Sequence, residues 1–426
     1  MPSLISRRNL LRITAAGTLL PFMGPWKHNR VYAASSDKPI RIGLLHSATG
    51  QYGVSGAAEK RGTIDAIAQA NAAGGLLGRK IEYVWTDTET NPELANSIAR
   101  RFIIENDVSF LAGAVHSNVA RAVAAVAQEF GCVYLNTNSS APSQSAEDCH
   151  RVKFVFDANG RNFALASADY VTRHHGKNWL LLINDYSWGH QTADAIRKIG
   201  ALSGANIVDE ILVPVGTRNY TGILKQIATS KPDVVATAIG GDDYIPLRAQ
   251  AVDLGLHKQP AWLNNQQDWP DHFAINQASL FGVFGTTWYH GLDLPGVDDF
   301  VKRYKQRWPN TTIEVPGNVY YNGYMAMKIL LNAVERAGTT NNIAVIKQLE
   351  QTHISARDRM QHFDAYMDPN SHHLQQTIYI ASNNDEPKLD RDYYKILSAI
   401  HPKDVSDSGE QNCRLEPYED TPVYEL

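Results

Sequence analysis

Residues 40–85 read IRIGLLHSATGQYGVSGAAEKRGTIDAIAQANAAGGLLGRKIEYVW, and this stretch indicates the fold. It opens with a short apolar run, continues through a glycine-bearing loop into a helical pattern, and returns to an apolar run near Lys80. Gly74 and Gly75 are typical of a helix end. Most apolar runs in this part of the chain are continuous, as in parallel strands that are buried on both faces. The stretch therefore predicts a strand–helix–strand unit with a right-handed crossover.

The same alternation of short apolar runs and longer helical patterns continues in two series. The first series ends near Leu135, and the second begins near Arg151. Two successive series predict an α/β fold with two doubly wound, Rossmann-like lobes. We predict strands at residues 40–45, 80–86, 108–112, 133–135, 152–156, 179–183, 208–213, 234–239, 261–263, 377–380 and 394–397, and helices at residues 57–73, 92–105, 119–130, 161–174, 191–203, 220–229, 244–254, 297–307, 319–337 and 343–351.

The composition is that of a globular protein with length for two or three domains. Of the 426 residues, 43% are hydrophobic and 20% are charged, and 40 Lys and Arg stand against 44 Asp and Glu. Without a basic excess, the chain is not expected to bind nucleic acid. The three cysteines fit neither a zinc site nor a thioredoxin-type pair. Cys132 and Cys149 flank one loop and either form a disulfide or stay reduced, and the role of Cys413 stays open.

The first 34 residues have the features of a twin-arginine signal peptide. Arg7 and Arg8 precede a weakly apolar stretch, and Lys27 and Arg30 follow it before the small residues at 33–34. The longest apolar run is too short to span a bilayer. We therefore expect a periplasmic protein that is exported by the Tat pathway and has no stable membrane insertion after cleavage.

The residues that could form catalytic or metal-binding motifs do not have the spacing that those motifs require. The segment at 53–56 lacks the second glycine of a nucleophile elbow, and the glycines at 74–78 lack the spacing of a phosphate loop. The histidine pairs at 174–175 and 372–373 are adjacent residues whose side chains point apart, so neither forms a metal fork. We expect both pairs to be solvated. The sequence predicts a protein that is not an enzyme and uses no metal or cofactor.

Polar loops follow the predicted strands at the edge where open α/β sheets bind ligands. Ser117 and Asn118 stand near the start of a predicted helix, where hydroxyl, amide and free N–H donors make an anion site. The alternative is that these two residues only cap the helix. Five further polar loops lie at residues 46–53, 136–140, 186–189, 240–243 and 264–269.

From Ile40 to Ala337 the chain resembles type I periplasmic solute-binding proteins of ABC importers, in the leucine/isoleucine/valine (branched-chain amino acid) family. The residues that carry the resemblance are Ile42-Gly43-Leu44, Thr49-Gly50-Gln51-Tyr52-Gly53, Asn71-Ala72-Ala73-Gly74-Gly75-Leu76-Leu77-Gly78-Arg79 and Tyr186-Ser187-Trp188-Gly189.

The resemblance implies two lobes joined by three crossovers, which close over a ligand as a hinge bends. It places lobe I at residues 39–157 and 286–365 and lobe II at residues 158–285 and 366–386. Residues 1–34 are then the signal peptide, and residues 387–426 are a C-terminal extension outside the family pattern, with unknown role.

By the same resemblance, Tyr52 stacks over the ligand and Trp188 approaches from lobe II. Ser117, with the turn at 139–140, holds a carboxylate at the start of a helix. The full set of predicted ligand-binding residues is Tyr52, Ser117, Asn118, Asn138, Ser139, Ser140, Trp188, Asp242, Asn264 and Gln266.

The chain departs from the family where amino-acid binders use a lobe II carboxylate to hold the ligand ammonium. Residues 264–267 are amides here, and the carboxylate alternatives are Asp242, Asp243 and Asp268. An ammonium without a carboxylate partner is costly to bury. The candidate ligands are therefore a branched-chain amino-acid-like solute, an amide or urea, and an aromatic carboxylate, with Trp188, Trp288 and Tyr289 as possible walls.

The resemblance predicts an exported substrate-binding protein that delivers its solute to the permease of an ABC importer. The alternative function is a ligand-sensing, regulatory subunit with the same fold.

Overall fold

The structure, a computed structural model, describes residues 38–275, 279–389, 391–406 and 412–426. The strands are β1 Ile40–Leu45, β2 Ile81–Trp85, β3 Phe110–Gly113, β4 Val133–Asn136, β5 Lys153–Val155, β6 Asn178–Asn184, β7 Asn206–Val213, β8 Val234–Ala238, β9 Ala261–Asn264, β10 Val283–Thr286, β11 His353–Ile354, β12 Ala365–Asp368, β13 His373–Gln375, β14 Ile378–Asn383 and β15 Tyr394–Ile400.

The helices alternate with these strands along most of the chain. They are α1 Gly53–Ala72, α2 Pro92–Glu105, α3 Ser117–Phe130, α4 Gly160–His175, α5 Ser187–Leu202, α6 Thr221–Ser230, α7 Tyr244–Asp253, α8 Trp269–Phe273, α9 Val297–Arg307, α10 Asn318–Ala337, α11 Asn342–Glu350, α12 Ala356–Arg359 and α13 Pro402–Val405.

The strands form two sheets, and the chain passes between them. The order is β11-β12-β13-β5-β4-β3-β1-β2 in the first sheet and β15-β14-β10-β9-β8-β6-β7 in the second. The strands β1 to β5 pair in parallel with one another, as do β6 to β10. The strand β14 pairs antiparallel with β10. The chain changes sheet after β5, after β10 and after β13. We call the parts built on the two sheets the first half and the second half. This architecture confirms the predicted α/β class with two doubly wound units.

Local sequence accounts for most of these elements. The strands β3, β4 and β8 are buried along their whole length, as their continuous apolar runs predict. The helix α2 begins at Pro92, where the Asn91 side chain accepts a hydrogen bond from the Leu94 N–H. The helix α9 has the predicted bounds.

Some elements of the structure begin earlier than predicted, and others are absent from the prediction. The helix α1 begins at Gly53, α3 at Ser117 and α5 at Ser187, each earlier than predicted. Part of the polar loop at 186–189 is therefore the first turn of a helix. The predictions also lack the strands β10 to β13, which are short and have polar or aromatic residues among their apolar ones.

The predicted lobe boundaries need two corrections. The strands β12 and β13 belong to the first sheet, whereas the prediction places residues 366–386 in the second lobe. The strand β15 pairs with β14, so the predicted extension at residues 387–426 supplies a strand of the second sheet.

The last residues of the chain lie on the first half. Cys413 forms a disulfide with Cys149, and the Tyr424 hydroxyl donates a hydrogen bond to the Val108 carbonyl at 2.6 Å. Cys132 is buried and free. The predicted alternative of a Cys132–Cys149 bridge is therefore wrong, because Cys149 pairs with a residue 264 positions away.

The histidine pair at 372–373 is buried, which corrects the prediction that it is solvated. His372 Nε2 lies 2.9 Å from the Glu350 carboxylate, and His373 Nε2 lies 2.8 Å from the Asp157 carbonyl. The pair at 174–175 is exposed, as expected. Among the described residues, no group of three or more His, Cys, Asp or Glu is placed to hold a metal ion. In the same part of the chain, no helix has both the length and the apolar character needed to cross a membrane.

Candidate functional site

A cavity lies between the two halves, at the carboxyl ends of both sheets. Segments that follow β1, β3 and β4 line it from one side, and segments that follow β6, β8 and β9 line it from the other. Its volume of ≈ 20 Å³ is room for about one water molecule. The lining residues are Tyr52, Val115, Ser117, Asn138, Ser140, Tyr186, Trp188, Ile239, Gly240, Asn264, Gln266, Asp268 and Asp271.

Ser117 is the hydroxyl donor that the first half offers to the cavity. Its Oγ accepts hydrogen bonds from the Ser139 hydroxyl at 3.2 Å and from the Ala141 N–H at 3.3 Å, so its own proton remains for another acceptor. Ser140 differs because its hydroxyl donates to Gln266 Oε1 at 2.5 Å. At the predicted carboxylate-binding site, the free donor is therefore the Ser117 hydroxyl. It lies next to the N–H groups of the first turn of α3.

The capping alternative for Ser117 and Asn118 is wrong. The residue that caps α3 is His116, and its side chain makes no capping hydrogen bond. The Asn118 side chain instead accepts a hydrogen bond from the Ser187 hydroxyl of the second half at 2.8 Å.

Three aromatic residues, Tyr52, Tyr186 and Trp188, form what we call the aromatic wall of the cavity. The two phenol oxygens lie 2.6 Å apart, and the Tyr186 and Trp188 rings lie 6.0 Å apart between centroids. The His116 ring stacks on Tyr186 at 4.6 Å, and burial lowers the pKa of His116 to about 4, so this imidazole is neutral. The Trp188 indole N–H meets no hydrogen-bond acceptor in the described part of the chain.

Asp268 lies at the centre of a group of side-chain amides. One of its carboxylate oxygens accepts hydrogen bonds from Asn318 Nδ2 at 2.8 Å and from Gln266 Nε2 at 3.3 Å, and the other accepts one from Asn138 Nδ2 at 3.2 Å. All of these partners are neutral. Hydrogen bonds therefore hold the carboxylate in place, while its charge has no opposite charge beside it.

Asp271 is a second carboxylate in the cavity lining, three residues after Asp268. It accepts hydrogen bonds from the Gly241 N–H at 2.8 Å and from the Ser55 hydroxyl at 3.3 Å. Among the described residues, neither Lys nor Arg lines the cavity. The described lining thus has two acidic groups and no basic side chain.

Burial raises the pKa values of these acids. The pKa of Asp271 rises from 3.8 to about 8, mainly through burial and further through the negative charge of Asp268. Burial also raises the pKa of Asp268, and it raises that of Asp157, which accepts a hydrogen bond from Gln266 at 3.1 Å. A cation in the cavity would favour the ionised forms of these acids.

Direct hydrogen bonds hold the two halves together around the cavity. The Gln51 side chain donates to the Gly240 carbonyl at 2.9 Å, and the Gln51 carbonyl accepts from the Asp242 N–H at 3.0 Å. The phenol pair and the bond between Ser187 and Asn118 also cross between the halves. Asn138, Ser140 and Ser55 of the first half also bond to Asp268, Gln266 and Asp271 of the second half. These contacts around the cavity are polar, which is the kind of interface that can open.

The structure brings seven of the ten predicted ligand-binding residues to the cavity. The other three lie outside its lining. Ser139 lies behind Ser117, Asn118 bridges to Ser187, and Asp242 lies on the rim with its carboxylate 3.9 Å from Arg218. The seven lining residues are Tyr52, Ser117, Asn138, Ser140, Trp188, Asn264 and Gln266.

Asp242, Asp243 and Asp268 are the candidates for a carboxylate that holds a ligand ammonium. Of these, Asp268 lines the cavity. Asp243 is buried elsewhere and pairs with Arg218 at 2.8 Å. The proposed walls Trp288 and Tyr289 are wrong, because both residues are buried in the hydrophobic core and neither lines the cavity.

Five lining residues are absent from both the predicted set and its alternatives: Val115, Tyr186, Ile239, Gly240 and Asp271. Tyr186 and Gly240 do stand in the predicted polar loops, directly after strands. For Asp271 the sequence has a weaker indication. Asp271 follows Asp268 by three residues across Trp269-Pro270, a typical helix start, and this spacing places both acids on one face of the helix.

Comparison with known proteins gives the same architecture. The chain is similar to the Leu/Ile/Val-binding protein homolog 3 of Brucella melitensis, with 23% identity over 74% of this chain and 84% of that protein. Among solved structures, it resembles a periplasmic binding protein from Burkholderia mallei, with a TM-score of 0.80 and 22% identity over 88% of this chain and 98% of that one.

A third likeness is to an ABC transporter solute-binding protein from Rhodopseudomonas palustris in complex with 3,4-dihydroxybenzoic acid. Its TM-score is 0.77 and its identity 18%, over 88% of this chain and 99% of that one. The sequence model of the periplasmic binding protein family matches residues 39–387. Its members bind solutes without transforming them, in agreement with the predicted absence of enzymatic activity. The chain belongs to the periplasmic binding protein family.

Proposed function

We propose that the protein is the exported substrate-binding protein of an ABC importer and captures a small polar solute by closure of its two halves. The observation that carries this proposal is the cavity at the carboxyl ends of both sheets, with hydrogen-bonding groups from each half. The partner is then the importer's permease, which receives the solute from the closed form.

Binding requires the halves to separate and close again. The cavity of ≈ 20 Å³ is too small for any solute much larger than water. Opening would break the contact between the phenols of Tyr52 and Tyr186 and the contacts of Gln51 with the second half. A solute that touches both halves favours the closed form by its extra affinity for that form.

The charges in the cavity favour a solute with a positively charged nitrogen. Asp268 and Asp271 supply the carboxylates that the amides at 264–267 do not, and they have no cationic partner in the lining. A lone aromatic carboxylate would instead oppose the ionisation of these acids. Ser117 and the start of α3 offer donors for the opposite end of a zwitterion. An amino-acid-like solute therefore fits the cavity better than an aromatic acid.

For the location, we propose the periplasm, reached by the Tat pathway. The support is the paired arginines at 7–8 and the small residues at 33–34. These residues lie outside the part of the chain that the structure describes.

A melting-temperature screen tests the proposed function. Leucine, glycine betaine, acetamide, urea and benzoate are added singly to the mature protein, since any solute that binds the folded state raises the melting temperature. We expect a shift from a compound with a cationic nitrogen. A screen in which all five compounds leave the melting temperature unchanged up to millimolar concentration would contradict the proposal.

The affinity for a cationic solute should depend on pH, in a direction that follows from the pKa of Asp271. The raised pKa of Asp271, about 8, means that this group is mostly protonated in the free protein at neutral pH. A cation binds the ionised form better, so its affinity should fall about tenfold or more between about pH 8.5 and pH 6.5, with proton release on binding. A neutral solute would lack this dependence. The charged and titratable groups around Asp271 are Asp268, Asp242, Tyr52, Tyr186, Tyr244 and Tyr394.

A further inference from the structure

We propose that the cavity receives an N-methylated ammonium group, on a small compound that also has an acceptor oxygen such as a carboxylate. This inference rests on the proposed solute-binding function and specifies the class of solute. Three features carry it: the state of the two carboxylates, the aromatic wall, and the unused donors on the lining.

The carboxylates offer negative charge, and part of their capacity to accept hydrogen bonds is already used. The oxygens of Asp268 already accept three hydrogen bonds from amides, and those of Asp271 accept two from Gly241 and Ser55. A primary ammonium has three N–H groups, each of which needs an acceptor when water is excluded. A fully methylated ammonium has none. It gains from the nearby negative charge and does not compete with the amides for the carboxylate oxygens.

The aromatic wall supplies the second part of such a site. Tyr52 of the first half meets Tyr186 and Trp188 of the second half at the cavity, and Tyr52 and Trp188 both approach the backbone of Gly240. Ring faces attract cations, and this contact is strongest where water is excluded. His116 stacks on one face of Tyr186 and is neutral, so it adds no repulsion. Methyl groups on the nitrogen would pack on these rings as apolar groups do.

Two donors on the lining remain for the acceptor end of the solute. The Ser117 hydroxyl keeps its proton, and the buried indole N–H of Trp188 has no acceptor in the described residues. A buried donor without a partner is costly, and a carboxylate or hydroxyl oxygen of the solute would satisfy both.

Glycine betaine is the probe, and two compounds isolate the features that it combines. The compound 3,3-dimethylbutanoate has the same shape with carbon in place of the charged nitrogen. Glycine has the charges but lacks the methyl groups. By calorimetry we expect betaine to bind about tenfold or more tightly than glycine, and about a hundredfold or more tightly than the carbon isostere.

Substitutions in the aromatic wall test the same site. Trp188→Leu keeps an apolar side chain but removes the ring face and the N–H, and it should weaken betaine about tenfold. Trp188→Phe restores a ring and should recover part of that loss. Trp85→Leu is the matched control, because this partly exposed tryptophan of β2 lies outside the lining, and betaine affinity should not change.

The outcomes separate this inference from the proposed function. Equal binding of betaine and 3,3-dimethylbutanoate would overturn the role of charge, and equal or tighter binding of glycine would overturn the role of the methyl groups. Binding of leucine, acetamide, urea or benzoate without betaine would refute the inference and leave the solute-binding function in place. If none of these compounds binds, both proposals fail.

Discussion

Replacing Gly62 with alanine is expected to lower the free energy of unfolding by about 3 kcal/mol or more. Gly62 lies in α1 where this helix crosses α10, and a Cβ there would lie 2.0 Å from the Tyr320 carbonyl oxygen. At Gly323, on the facing helix, a Cβ would lie 2.4 Å from the Glu59 carbonyl oxygen. The two backbones therefore approach through a pair of glycines, and an added methyl group forces the helices apart.

A second helical glycine provides the matched control. Gly222 lies in the first turn of α6, and a Cβ there would have no heavy atom within 4 Å. Gly222→Ala should be neutral or stabilise the protein by up to about 1 kcal/mol, since alanine favours the helix. Urea denaturation of both variants measures the two effects. Similar stability of the two variants would show that α1 and α10 do not meet as closely as described.

The largest expected effect on binding comes from Asp268→Asn. This change keeps the shape of the side chain and removes the negative charge at the centre of the amide group. We expect the affinity for a cationic solute to fall about a hundredfold or more, the typical cost of removing one member of a buried charge pair. Titration calorimetry with the compound that raises the melting temperature most gives the affinity directly.

The stability of this variant separates lost binding from lost folding. Burial raises the pKa of Asp268, so the native state holds its proton more tightly than the unfolded state does. The stability of the natural protein therefore falls as the pH rises from the ordinary pKa of an aspartate to the raised value. A neutral asparagine avoids this loss but places an amide N–H₂ where Asp268 accepts a hydrogen bond, at a cost of about 1–3 kcal/mol. The two effects oppose each other, so the variant should remain folded at about pH 8, with a free energy of unfolding within about 3 kcal/mol of that of the natural protein. Unchanged affinity in a folded variant would contradict the assignment of Asp268.

Periodicity and turn residues were sufficient to predict most of the fold. Continuous apolar runs located β3, β4 and β8, and Asn91-Pro92 located the start of α2. The strands β11 and β13 have only two and three residues, too short for any period to be recognised. The Cys149–Cys413 bridge joins residues 264 positions apart, a contact that depends on tertiary structure alone.

The site was predictable only as far as its loops follow strands. That rule placed Ser117, Trp188 and Gln266 at the correct edge of the sheets. It could not distinguish Asp268 from Asp242, because the direction of a loop side chain depends on packing against the other half. The raised pKa of Asp271 was likewise not predictable, because it depends on burial between the two halves, which exists only in the folded protein.

The closure of the two halves on a solute is the central claim, and a distance between spin labels tests it most directly. Glu93 follows β2 and Val215 follows β7, so both exposed positions lie at the cleft edge, one on each half. Cysteines introduced there can be labelled selectively, because Cys132 is buried and Cys149 is bonded to Cys413. We predict a longer, broader distance distribution without solute, and a shorter, narrower one when the compound with the largest melting-temperature shift is added. An identical distribution in both samples, at a concentration where calorimetry gives full occupancy, would contradict the account.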